Sequence, residues 1–510
     1  MNYFSFLRLP SVFVAAKHPQ ILNRFLCKII SYGVNLFFRM FYPLFIFTLL
    51  FTTCLFSAQN EEEVGSPEEP CLLLTLELAL SRALECNRQL INTQENYVQS
   101  HYSIELAWSE FDVQITPNSR AGYVGGGSAG SGISLGGGID FSKKFQCGTT
   151  LSLEPSILKT KEHYNTDLRA LISQPLLRGF GRDYQLSAVK GAQFRLRTAA
   201  RNLYQAQIQV ILRAITSLYE IIKAQKTLEI SEESYQRINK YFQAAKLKEK
   251  IGLSDALDVY RAEIELHHAE DNLTGAQERL QDAEDALRNL LALPLNTRIQ
   301  VDVPLVYSPN PFQEDEAIQL AIDNRSEMDQ AEDQWRENYR LSSIAQKKLY
   351  PELNLVLNYS NCGRDQYFTR SCSRHRESTW GVGFSTSTDF DPKRDRIAYE
   401  QSLLGIDSAG RSIEETRANL TVEVKKALRT LHRAFKRIEV QKKQMHTAEG
   451  ELHLAQIKFD HGMANNFDVI QAEKSFRSAD LTYWGVLIEH IVGQYQLLAA
   501  MGSLADKPKI

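Results

Sequence analysis

Proline is missing from two long stretches of this 510-residue chain. None occurs from Leu176 to Leu293 or from Lys393 to Lys507, and each run exceeds 110 residues. Both runs are rich in Ala, Leu, Glu, Gln, Lys and Arg. A proline inside a helix costs roughly 3 kcal/mol, so its absence over such lengths points to very long helices. Excess positive charge is missing as well. The net charge is −3 with 23% charged residues, which argues against a nucleic-acid partner, since that would favour a basic patch or stripe. The seven cysteines contain no Cys-x-x-Cys pair, which argues against zinc.

Catalytic signatures are equally scarce. No Gly-Lys-Ser/Thr phosphate loop occurs, and no Ser/His/Asp set has supporting motif context. Gly125 to Gly130 fits G-x-G-x-x-G by spacing, but a dinucleotide site needs a helix to open there. The next residues, Ile133-Ser134-Leu135, alternate like a strand instead. His267, His268 and His461 lack ligand partners at metal spacing. No catalytic residue, cofactor or metal site is expected.

Acidic residues are absent from the first sixty positions, which carry Arg8, Lys17, Arg24, Lys28 and Arg39; Glu61 is the first acid. An apolar run, Phe41 to Phe56, ends in Ser57 and Ala58. A basic flank, an apolar core and a small-residue end describe a secretory signal, with Met40 as an alternative start. A retained anchor is the other reading, although the run is shorter than the roughly 20 residues a spanning helix needs. Cys54 as a lipid carrier is disfavoured by the bulky Phe51 before it.

Each proline-free run has a glycine where a turn belongs: Gly252 in Lys250-Ile251-Gly252-Leu253-Ser254-Asp255, and Gly462 in His461-Gly462-Met463-Ala464-Asn465-Asn466. Glycine supplies the left-handed conformation that stops a helix. Ser254 or Asp255, and Asn465 or Asn466, can cap the next one. Two antiparallel helical hairpins result. Their longer arms, about Leu186–Lys250 and Arg396–Asp460, would measure on the order of 95 Å. The runs also match in register. Shifted by 210, Lys248, Gly252, Asp258, Val259, Ala262, Glu263, Ala269 and Leu287 meet identical residues from Lys458 to Leu497. Shifted by 238, the amphipathic start Leu78–Glu85 meets Glu316–Asp323. The chain is an internal duplication.

Between the short and long helices of each half the period becomes two. Ile133–Gly136, Thr150–Leu153 and Leu168–Ile172 alternate in the first half. Leu353–Tyr359 and Trp380–Thr386 alternate in the second. Such runs, with glycines and flanking aromatics, fit barrel strands in a bilayer; a soluble sheet is the alternative. The first half has room for one extra hairpin around Phe141–Leu153. In the second half, Cys362 and Cys372 lie in a polar stretch, and are a candidate disulfide if the protein is exported, or two separate thiols.

These segments resemble the TolC-like outer-membrane efflux proteins. The resemblance rests on Leu74–Leu80, on Ser173-Gln174-Pro175-Leu176-Leu177-Arg178-Gly179-Phe180-Gly181, on Leu349–Leu353, and on the turn from Lys458 through Ala472. It covers roughly Leu72 to Leu504. It implies a mainly α fold: duplicated long helical hairpins forming an α-barrel, plus strands contributing to a shared transmembrane β-barrel. It implies a homotrimer with four strands per subunit in a twelve-stranded barrel in outer-membrane lipid. The helices would form a periplasmic tube whose inner end meets a periplasmic adaptor and an inner-membrane transporter. The function it implies is export of small molecules or proteins, by tripartite efflux or type I secretion. The organisation expected is a signal peptide at 1–58, an acidic linker at 59–71, repeats at 72–304 and 305–505, and a tail at 506–510.

Rings of aspartate narrow the inner end in this family. Asp468 takes one ring position and Gln471 the other, so the ring carries half the charge. Asp258 matches the aspartate that holds the gate, but its arginine partner falls at Ala464 and its tyrosine at Phe459. Either another basic residue substitutes or packing holds the gate. Both aspartates also suit a first helical turn, where acid complements the helix dipole. Gly252, Leu253, Ser254, Gly462, Met463 and Ala464 are candidates for adaptor contact, or simply cap helices. The competing function is an exported helical scaffold or coiled-coil stalk without a pore, which explains the rods but not the strand blocks. A single two-hairpin rod would also bury too little, and in a monomer would leave the stripe Ile208, Ile211, Leu212, Ile215, Leu218, Tyr219 and Ile222 partly wet.

Overall fold

A computed structural model describes residues 72–124, 132–160, 163–252, 255–305, 307, 312–373, 376–387 and 391–507. The expected leader, the Gly125–Gly130 run, Leu253 and Ser254 lie outside the described residues. Contacts divide the chain into one main unit, Leu74–Leu295 with Val301–Ile510, and a small one, Met1–Leu73 with Asn296–Gln300. In the small unit the described backbone is tied by a hydrogen bond from the Leu72 N–H to the Arg298 carbonyl, 3.0 Å.

The first half opens with strand β1 (Leu72–Thr75), then helices α1 (Leu76–Cys86) and α2 (Arg88–Ser109). Four strands come next: β2 (Val113–Val124), β3 (Gly132–Lys144), β4 (Thr150–Lys159) and β5 (Tyr164–Pro175). A turn of helix, α3 (Arg182–Gln185), leads to α4 (Ser187–Lys250) and its return arm α5 (Ala256–Leu290). After β6 (Ile299–Asp302) the plan repeats with α6 (Glu314–Asn324), α7 (Ser326–Lys348), β7 (Leu353–Asp365), a short α8 (Phe368–Ser373) and β8 (Arg376–Thr386). The second hairpin is α9 (Lys393–Asp460) and α10 (Asn466–Ala500).

The duplication reaches the backbone. Both short leading helices break after eleven residues, at Asn87 and Arg325, and those two positions are extended, with ψ 121° and 130°. The Asn87 side chain makes the break useful at both ends. Its oxygen accepts from the Leu90 N–H at 3.1 Å, and its amide donates to the Leu290 carbonyl at 3.0 Å. The return arms α5 and α10 are both 35 residues long.

The core is helical. The long helix α4 packs against α2, α5 and α10, so its apolar stripe is covered within one chain. Ile211, Ile215, Leu218, Tyr219 and Ile222 are buried; Ile208 and Leu212 are half-buried. The partly wet stripe expected on α4 is thus mostly dry. The wet apolar surface lies elsewhere. On α9, Ile397, Leu404, Val422 and Val440 are exposed at spacings that repeat one helical face. On α5, Leu257, Tyr260 and Ile264 do the same, and on α2 so do Ile91, Val98, Tyr102 and Leu106.

Among the described residues six strands, not the four implied by the resemblance, form one antiparallel sheet in the order β2-β3-β4-β5-β7-β8. The extra pair is the β3–β4 hairpin, which turns through Phe145–Thr149, inside the Phe141–Leu153 stretch. Gly148 makes that turn possible at φ 99°; a Cβ there would meet Pro175, Gly179 and Gln185. The turn is therefore seated on the β5–α3 connection of the same chain, and Thr149 bonds Gln174 beside it. The β3–β4 ladder is interrupted opposite Pro155, whose ring nitrogen cannot donate.

Residues opposite one another across a ladder share a face. Along the register, Trp380, Val382 and Phe384 stand beside Tyr359, Leu357 and Leu355. Tyr359 and Leu357 stand beside Ala170 and Ile172, which stand beside Leu153 and Leu151. Leu153 stands beside Phe141, and Phe141 beside Ile115. The other face carries Thr379, Asn358, Leu171, Ser152, Ser142 and Gln114 along matching rows. One face is apolar and exposed: Trp380 is 79% exposed and Phe384 72%. An apolar sheet face left in the open is what lipid requires. The strands, 10 to 13 residues long, match the length that crosses a bilayer with tilt. Among the described residues no helix is long and apolar enough to span a membrane.

Candidate functional site

The two hairpin ends hold most of the site residues expected from the sequence. Gly462 sits at φ 70°, its N–H donating to the Phe459 carbonyl at 3.1 Å, while the Met463 N–H reaches the Lys458 carbonyl at 2.7 Å. This paired pattern satisfies the last carbonyls of α9 and needs glycine at its left-handed position. Gly252, at φ 74°, ends α4 with a bond to the Glu249 carbonyl at 2.9 Å. Asp255 and Asn465 take the N-cap positions of the return arms.

Asp468 lies three residues into its helix and is exposed. One of its carboxylate oxygens accepts from the Asn465 N–H at 3.0 Å, while the Asn465 side chain accepts from the Asp468 N–H, a reciprocal capping box. Asp468 therefore does the capping work at the least. Gln471, one turn on, is exposed as well. Asp258 is half-buried and lies 3.9 Å from Arg261 on its own helix.

Phe459, which stands where the resemblance expects tyrosine, is buried at the centre of an apolar cluster with Leu452, Val469 and Ala472. Ala464 packs onto this cluster, whereas Met463 is 70% exposed. The two turn residues thus have different surroundings. The Lys248 ammonium lies 3.5 Å from the centre of the Phe459 ring, and Tyr241 meets the ring edge-on. A lysine–aromatic contact and packing join the hairpins near this end.

A further tie was marked in the sequence by nothing but the repeat. Glu473 on α10 is fully buried, and its carboxylate accepts from Arg237 Nε on α4 at 2.8 Å; Arg237 also reaches Glu233 at 3.1 Å. Burial pushes the Glu473 carboxyl above its ordinary value, against the pull of Arg237. Lys474 adds an outer link to Glu265 at 2.6 Å. Only the repeat could have drawn attention to Glu473, and its twin, Glu263, is exposed.

Cys362 and Cys372 are free thiols, so no disulfide pins the β7–β8 connection. The Cys362 thiol points to the Asp167 carboxylate on β5, 3.2 Å away, and Cys372 belongs to α8.

The chain is similar to known proteins in sequence and in fold. The model of the outer membrane efflux protein family matches residues 165–293 and 317–503, which is both long hairpins with β5, β7 and β8. Vibrio cholerae outer membrane protein TolC is 21% identical over 328 residues, covering 62% of this chain and 73% of that protein. Among solved structures, the Campylobacter jejuni CmeC outer-membrane channel superposes with a TM-score of 0.67 at 13% identity, covering 85% of this chain and 87% of that one. The open Neisseria gonorrhoeae MtrE channel gives 0.64 at 16% identity, covering 85% and 91%. Paired hairpins of this length, their glycine ends and an exposed apolar sheet face agree with the family match, and the chain belongs to the outer membrane efflux protein family.

Proposed function

We propose that three copies of this outer-membrane efflux channel component close a conduit whose periplasmic end is the pair of glycine turns, with Asp468 facing its axis. The observation that carries this reading is the combination, in one chain, of an unclosed apolar-faced sheet with exposed apolar stripes on α2, α5 and α9. Open strand edges are not viable in lipid, and rotational assembly satisfies edges and stripes together. Residues 1–58 serve as the export signal, which fits an outer-membrane location with the helices in the periplasm. The cargo is a small molecule or a protein, driven by an inner-membrane transporter through a periplasmic adaptor. The exposed Met463, with Gly252 and Gly462 holding the ends, forms the adaptor contact; Leu253 and Ser254 are assigned there from the sequence.

Three Asp468 carboxylates about a threefold axis crowd like charge and attract cations. Gln471 leaves that ring with one carboxylate per copy. Asp258 holds its own helix end beside the ring. In planar bilayers Asp468→Ala is expected to weaken block of single-channel current by multivalent cations. Unchanged block would remove Asp468 from the pore lining.

A further inference from the structure

We infer that the assembled barrel has eighteen strands, six from each copy, with β8 of one copy paired to β2 of the next. The inference rests on the trimeric reading above and concerns what that trimer builds.

Three observations carry it. First, the added β3–β4 hairpin lies between β2 and β5 rather than at a sheet edge, so it is wall and not an appendage. Second, the apolar face runs through it unbroken: Ile115, Phe141, Leu153, Ala170, Tyr359 and Trp380 form one row from edge to edge. A hairpin folded into the lumen would have no reason to keep its apolar residues in line with those of its neighbours. Third, the directions close. β2 leaves the helical end of the sheet and β8 returns to it, so the two free edges meet antiparallel when copies succeed one another around an axis. The family model begins to match only in β5, so the segment that holds β2 to β4 is where this chain departs from the family pattern.

The geometry has a functional consequence. Only β2, β5, β7 and β8 continue into long helices; the β3–β4 turn, Phe145–Thr149, rests on the β5–α3 connection and adds no helix of its own. Twelve helices of a trimer would then stand under eighteen strands. With strands about 4.8 Å apart and tilted about 40°, twelve strands give a backbone radius of about 12 Å and eighteen about 18 Å. The exit is wider than the tube that feeds it. Cargo size is therefore set at the helical end, and the barrel adds no filter.

The test is disulfide trapping in the full-length protein with its native cysteines changed to serine. Thr379→Cys on β8 is combined with Thr116→Cys or Asn118→Cys on β2, and separately with Ser152→Cys or Ser156→Cys on β4. Oxidised membranes are run unreduced after denaturation. The inference expects covalent dimers and trimers from β8–β2 combinations and none from β8–β4. Products from β8–β4 instead would mean that β2 and β3 leave the wall and twelve strands remain, which overturns it. Silence of every β8–β2 combination in a protein of trimeric mass in detergent also overturns it. Monomeric mass would overturn the trimer itself.

Discussion

Removing the two partners of the Arg237–Glu473 pair should have unequal effects. Glu473 is fully buried, while the Arg237 side chain keeps 23% of its exposure and a second carboxylate, Glu233, at 3.1 Å. Arg237→Ala strands a buried carboxylate, which is expected to cost about 3–5 kcal/mol. Glu473→Ala leaves a guanidinium that still has Glu233 and water, so the loss is nearer that of one charged hydrogen bond, about 2 kcal/mol. pH separates the two further. Because burial raises the Glu473 carboxyl, the folded state holds its proton more tightly than the unfolded chain does. The stabilisation from that proton is fully present below the ordinary value of 4.5 and is lost as pH rises through the raised one. Without Arg237 the pull that lowers this value is gone, so the window extends to higher pH. Urea unfolding of the detergent-purified protein, monitored by helical circular dichroism at pH 7 and pH 5, should show the Arg237→Ala deficit shrinking in acid. The Glu473→Ala deficit should not shrink in acid, because that variant has lost the group whose proton uptake stabilises the wild type there. Equal deficits at pH 7, a larger one there for Glu473→Ala, or an Arg237→Ala deficit that does not shrink in acid would refute the reasoning.

The same structure sets other outcomes. Gly462→Ala places a Cβ at φ 70° and should cost about 1 kcal/mol, read as faster proteolysis at the hairpin end. Val382→Lys on the apolar face should cost about 2–4 kcal/mol near mid-bilayer, whereas Thr379→Lys on the opposite face should be close to neutral; heat-modifiable gel mobility after insertion into vesicles reports both. Cys362 and Cys372 should each take maleimide in denatured protein that has never met a reductant. A bonded pair would leave both unlabelled.

The long helices were legible because their signals are local. A missing proline, a glycine at the stop and an asparagine or aspartate at the restart act within a few residues, and both hairpins obey them. The strands were less legible. Trp380–Phe384 alternates strongly, but Gly136, Gly137 and Gly138 dilute the pattern in β3, so the extra hairpin stood as an option and the resemblance favoured four strands. Burial was the least legible property. Glu263 and Glu473 occupy equivalent places in two copies of one plan, yet only Glu473 is covered by α4 and met by Arg237. The α4 stripe failed as a marker of the wet surface for a related reason: α4 is the helix its own chain encloses. Asp468 carried two readings in the sequence, and the capping box establishes one without displacing the other.

Electron cryomicroscopy of the full-length protein in lipid nanodiscs tests the conduit most directly. The account predicts a threefold ring of strands around a water-filled centre, with lipid against Trp380, Val382 and Phe384 and a helical tube below. A single chain whose apolar sheet face is folded back onto its own helices, away from lipid, would contradict it.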